Sequence, residues 1–150
     1  MLLKNTLKTT FALLASAFTF SGCGYAQQQG KVDSIVVEVT GSEFNWHFRY
    51  PGLDGILGTS DDQHSMQNLY LPENADVTLR LSSNDYVYSF ALPELDLKEI
   101  AVPDLSFELV FKTNSKRKLL LLGDQFCGYS HKTLIGSTYI VSQDSGFYNW

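Results

Sequence analysis

From Ile35 onward the chain alternates. Ile35, Val37 and Val39 interleave with Val36, Glu38 and Thr40, and after Gly41 a second run sets Phe44, Trp46, Phe48 and Tyr50 against Asn45, His47 and Arg49. A period of two is that of a strand with one face on a core. Two strands are therefore predicted, with the aromatic face buried and His47 toward solvent. "NLYLP" and "DVTLRLSS" continue the pattern, the second placing Val77, Leu79 and Leu81 against Thr78 and Arg80; "YVYSFALP", "LSFELVFK", "KLLLLG" and "STYIVS" extend it. "YPGLDGILGTSDD" combines Pro51 with glycines and aspartates, which is turn chemistry. That reading leaves His64 and Met66 of "DDQHSMQ", a pair of soft donors, as solvated residues on the descending arm of a long loop. Six to eight short strands between Gly, Pro, Asn and Asp clusters, with no amphipathic helix, predict an all-β sandwich.

The first 25 residues follow another pattern. Lys4 and Lys8 precede the apolar run "FALLASAF" and then "TFSGCGY", the order of an export signal. The run is shorter than the roughly 20 residues that span a bilayer. "FSGC" resembles the lipobox of bacterial lipoproteins, with Phe20 where leucine is usual. The reading is a signal peptide over residues 1–22, Cys23 as the lipidated N-terminus, a polar tether over 23–34 and a single domain over 35–150. A plain signal peptide with an incidental cysteine is the alternative. Lipidation at Cys23 would put the protein on the membrane, at the periplasmic or extracytoplasmic face of the cell envelope.

Composition narrows the partners. The chain of 150 residues has 11 Lys and Arg against 16 acids, and removing residues 1–22 takes two lysines and no acid, giving a mature domain of formal charge −7. A phosphate-binding surface needs clustered positive charge, so nucleic acid is excluded as a partner. An acidic surface suits a basic protein partner and equally serves solubility. With Cys23 acylated, Cys127 has no cysteine partner, and a disulfide framework is excluded. An unpaired exported thiol is a metal ligand, a redox group or a small buried hydrophobe. Neither a nucleophile elbow nor a phosphate loop is present.

Cys127 stands four residues before His131 in "GDQFCGYSHKTL". Together with "FNWHFRYPGLDGILGTSDD" and "NLYLPENADVTLRLSSNDYVYSFALPELDLKEIAVP", this loop resembles the periplasmic copper domain of cytochrome c oxidase subunit II, in one order over roughly Val36 to Val141. The resemblance implies a cupredoxin-like Greek-key sandwich or barrel. It also implies a binuclear copper centre, CuA, whose ligands are two cysteines, two histidines, a methionine and a backbone carbonyl. Transferred position by position, the upstream histidine falls on Tyr88, the first cysteine on Gly123, the carbonyl on Gln125, the second cysteine on Cys127, the second histidine on His131 and the methionine on Leu134. Only Cys127 and His131 keep ligand side chains. The aspartate of the family's "LKQDAVP" motif is Ile100 here. Phe44 takes the place of the tryptophan through which electrons reach the metal, and the two transmembrane helices that precede the domain in the family have no counterpart.

Two bridging thiolates are needed to share an electron between two coppers, and one is left once Cys23 is acylated. A standard CuA centre is thus excluded on donor count, while copper held by Cys127, His131 and the Gln125 carbonyl is the remaining metal reading. The favoured function is a lipid-anchored structural or interaction module linked to the respiratory chain, not catalytic by itself. The alternative is a copper-binding electron-transfer protein or accessory oxidase subunit, with a c-type cytochrome or oxidase subunits as partners. Restoring the three lost side chains by Gly123→Cys, Tyr88→His and Leu134→Met is expected to restore metal binding.

Overall fold

A computed structural model describes residues 31–126, 128, 131–144 and 147. The protein is a sandwich of two five-stranded mixed sheets. The first sheet has the order β3-β2-β1-β5-β8 and contains β1 (Ser34–Ser42), β2 (Asn45–Tyr50), β3 (Gln63–Met66), β5 (Asp76–Ser83) and β8 (Phe107–Lys112). The second has the order β4-β10-β9-β6-β7 and contains β4 (Asn68–Pro72), β6 (Tyr88–Leu92), β7 (Leu97–Ala101), β9 (Arg117–Gln125) and β10 (Gly136–Val141). Short 3-10 turns occupy Pro93–Leu95 and Lys132–Leu134. No described helix is long and apolar enough to cross a membrane.

The alternation read from the sequence is what closes the sandwich. Ile35, Val37 and Val39 of β1 and Val77, Leu79 and Leu81 of β5 turn inward and are buried. They share a face because β1 and β5 run parallel with Ile35 opposite Val77 and Val39 opposite Leu81. Trp46, Phe48 and Tyr50 complete this layer, and Leu69, Leu71, Tyr88, Phe90, Leu92 and Leu121 supply the facing one. His47 is exposed, as the pattern predicts.

Three local expectations change. Phe44 does not continue the aromatic strand: it sits with Glu43 in the two-residue turn between β1 and β2, where Ser42 pairs with Asn45 and both turn residues have positive φ. "QHSM" is an edge strand rather than loop, since β3 pairs with β2 from His47↔Met66 to Tyr50↔Gln63. Its four side chains are exposed or half-buried, so no hydrophobic period announces it. β7 was also not apparent in the pattern, because of its five residues only Ala101 is buried.

A cluster at one end of the sandwich

Tyr88 opens β6, paired to Ala101 of β7 and Gln125 of β9, and is fully buried. Its ring fits because residue 41 is glycine: a Cβ there would overlap the ring at Cδ2 and lie 2.8 Å from Cε2. The Tyr88 hydroxyl donates to Asp85 Oδ1 at 2.7 Å and accepts from the Phe44 N–H at 3.3 Å. Asp85 also accepts from the Glu43 N–H at 2.7 Å and the Tyr86 N–H at 2.8 Å. Desolvation and the bond to Asp85 push the Tyr88 phenol up to about 12. For Asp85, desolvation acts to raise the carboxyl, but the hydrogen bonds from Tyr88, Glu43, Tyr86 and Ser83 outweigh it and hold it below the usual carboxylate range. The two groups favour each other's ordinary state, a neutral phenol donating to a carboxylate.

The β1–β2 turn is fastened over this pair. Phe44, at φ 60°, stacks on the His131 ring at 3.8 Å and 18° and on Tyr86 at 5.3 Å, and meets Tyr88 edge-on at 6.3 Å. The Thr133 hydroxyl donates to the Phe44 carbonyl at 2.6 Å. A bulky residue in the left-handed region costs about 1–2 kcal/mol. The cost is offset where surrounding contacts hold the residue in place, and here the Asp85, Tyr88, Thr133 and Asn45 side chains bond the turn backbone and two rings stack on Phe44. Beneath it, Trp46 packs edge-on to Tyr88 and Phe90 and donates from Nε1 to the Leu134 carbonyl at 3.1 Å.

Tyr88 is engaged by Asp85 and Phe44, and the phenol, with its raised pKa, resists becoming a phenolate ligand. Leu134 is a buried core residue. At Gly123 a Cβ would overlap Trp46 Nε1 and stand 2.8 Å from the Leu134 carbonyl oxygen. The indole thus fills the space where the first cysteine's side chain would start. The Gln125 carbonyl accepts from the Gly128 N–H at 3.4 Å, and His131, half-buried, lies face to face with Phe44. Cys127 and Cys23 lie outside the described residues. Among the described residues no three His, Cys, Asp or Glu side chains converge on a metal site.

Of the described positions matched to side-chain ligands, residues 88, 123 and 134 are tyrosine, glycine and leucine, and His131 alone keeps a ligand side chain. The restoration expected of the three substitutions meets an obstacle at Gly123, where a side chain has room only if the Trp46 indole moves. Sequence reasoning missed Asp85, Gly41 and Thr133. The available signals were an aspartate three residues before Tyr88, suited to a local turn, and a glycine inside a strand, which marks close approach.

No family model matches the chain. It is 29% identical over 148 residues to cytochrome c oxidase subunit 2 of Thermostichus vulcanus, covering 98% of this chain and 42% of the relative. It is 28% identical over 140 residues to alternative cytochrome c oxidase subunit 2 of Bradyrhizobium diazoefficiens, covering 79% and 50%. The chain therefore spans half or less of these relatives. In fold it is similar to the crystal structure of the periplasmic domain of subunit II of cytochrome oxidase from Bradyrhizobium japonicum, with TM-score 0.59, 20% identity and coverage of 78% and 90%. It is likewise similar to a crystal structure of a mixed disulfide intermediate between a thioredoxin-like protein and subunit II of cytochrome c oxidase, with TM-score 0.60, 20% identity and coverage of 77% and 87%.

Proposed function

For a chain that is similar in sequence to cytochrome c oxidase subunit II and folded like its periplasmic copper domain, we propose an oxidase-linked structural or interaction module in which a protein-only network replaces the binuclear copper centre. The proposal places it at the extracytoplasmic face, tethered through a lipid on Cys23. The observation that carries the reading is the Tyr88–Asp85 pair together with the Trp46 indole over Gly123. Tyrosine, glycine and leucine at ligand positions are each built into complementary packing, so the end of the sandwich is filled by the protein itself. Complementary packing of this kind gives the fold a reason to persist without metal.

A second reading, a copper-binding electron-transfer protein or accessory oxidase subunit, is favoured by one feature: Cys127 and His131 keep the four-residue spacing of a ligand loop. The two are separated by genetic complementation. Deleting the gene in its parent organism should lower assembly or cytochrome c oxidation in isolated membranes. A Cys127→Ser/His131→Ala chain should restore it fully if the domain acts by contact. Failure of that variant to complement, with its level in the membrane unchanged, would overturn the module reading and favour copper.

A further inference from the structure

The outer face of the first sheet carries a donor cluster at its β2–β3 edge. His47 is opposite Met66, and Arg49 opposite His64. Paired residues and their second neighbours project from the same face of a sheet, so all four side chains share the outer surface. The Gln67 N–H donates to the Trp46 carbonyl at 2.9 Å, which makes the adjacent His47 and Met66 a non-hydrogen-bonded pair. In such pairs the Cα atoms are about 4.5 Å apart and the side chains approach most closely. His64 is the diagonal neighbour of His47, at a spacing of roughly 7–8 Å that long side chains bridge. Both histidines are exposed and Met66 is 58% exposed. Neither imidazole makes a hydrogen bond or ion pair with a described residue. Arg49, the fourth member, is drawn to Asp62 and Glu38, which meet its charge with two carboxylates.

Two imidazoles and a thioether form a soft, nitrogen- and sulfur-based donor set. Hard cations such as Mg²⁺ and Ca²⁺ require oxygen ligands, whereas a thioether selects for Cu(I). Methionine, unbranched and flexible, can close onto an ion held by its cross-strand partner. We propose that His47, His64 and Met66 form a surface Cu(I) site, distinct from the loop Gly123–Leu134 and independent of whether that loop holds copper. The site would let the protein carry or buffer cuprous ion without a thiolate.

The test is an anaerobic Cu(I) titration of the full-length chain against a chromogenic Cu(I) chelator, in a Cys23→Ser/Cys127→Ser background that removes both thiols. The expected result is one Cu(I) per chain, with affinity falling at least tenfold in His47→Ala and in Met66→Leu, and also falling in His64→Ala. Zn²⁺ binding should be unaffected by Met66→Leu. These are exposed positions, and far-UV circular dichroism will show whether the variants remain folded. With methyl-labelled methionine, Ag⁺ should shift the Met66 resonance and leave that of Met1 in place. No Cu(I) binding in the thiol-free chain, affinity unchanged in His47→Ala and Met66→Leu, or an unmoved Met66 resonance would each overturn the proposal.

Discussion

Tyr88 owes its place to three other residues, and its removal should be felt at both ends of the pH scale. Its folded pKa, up to about 12, exceeds the ordinary value near 10. The stability it contributes is therefore full below pH 10 and lost as pH rises from 10 toward 12. Asp85 has the opposite sign. Its depressed carboxyl contributes stability above the usual carboxylate pKa of about 4, and loses it as pH falls through the folded value. Tyr88→Phe should cost about 1–2 kcal/mol near neutrality by leaving Asp85 short of a donor, and should flatten both pH slopes. The alkaline slope that remains belongs to groups such as Tyr50, whose burial also raises its pKa. Urea midpoints from pH 3 to 12 measure this, and an unchanged profile would mean that the Tyr88–Asp85 bond does not form. Thr138 gives a prediction of opposite direction. It is fully buried and its hydroxyl has no partner among the described residues. Thr138→Val should therefore stabilise by about 1 kcal/mol, seen as a higher urea midpoint at constant m-value; a lower midpoint would show that the hydroxyl is bonded.

The β1–β2 hairpin shows which part of an element can be read in advance. The periodicity of Trp46, Phe48 and Tyr50 was legible because burial on one face leaves a period of two. Phe44 was misassigned because its side chain fits the same period while its backbone has already turned. The turn itself lacks the usual signal: two-residue loops with positive φ at both centres favour Asn-Gly, and here they are Glu43 and Phe44 at φ 49° and 60°. Glu43 is exposed and holds the turn through its backbone N–H, so its side chain is dispensable. Glu43→Asn should raise stability by about 1 kcal/mol by easing the left-handed strain, read as a higher thermal midpoint. A fall of similar size would mean that residue 43 is not left-handed. β3 was illegible for another reason: an edge strand with no buried residue makes backbone bonds that leave no hydrophobic pattern.

The resemblance read from the motifs extends over almost the whole sandwich; of the described positions it matched, Tyr88 and His131 lie against Phe44, Gly123 and Leu134 against Trp46, and Gln125 pairs with Tyr88. What it did not reveal is how this end of the sandwich is packed, because Gly41 and Gly123 act through the side chains that occupy their missing Cβ space, Tyr88 and Trp46. A core of this size should fold without metal. Trp46→Ala, which removes a fully buried ring and its bond to Leu134, should cost about 3–5 kcal/mol, whereas a chelator should leave the urea midpoint where it was. The central claim is that this end of the sandwich is closed by protein rather than by a dicopper centre. Copper titration of the purified chain, followed by visible absorption, electron paramagnetic resonance and metal analysis, tests it most directly. The account predicts no intense thiolate-to-copper absorption and no mixed-valence signal, with any Cu(I) held colourless by imidazole and thioether. Two coppers per chain, purple colour and a mixed-valence signal abolished by Cys127→Ser would contradict it.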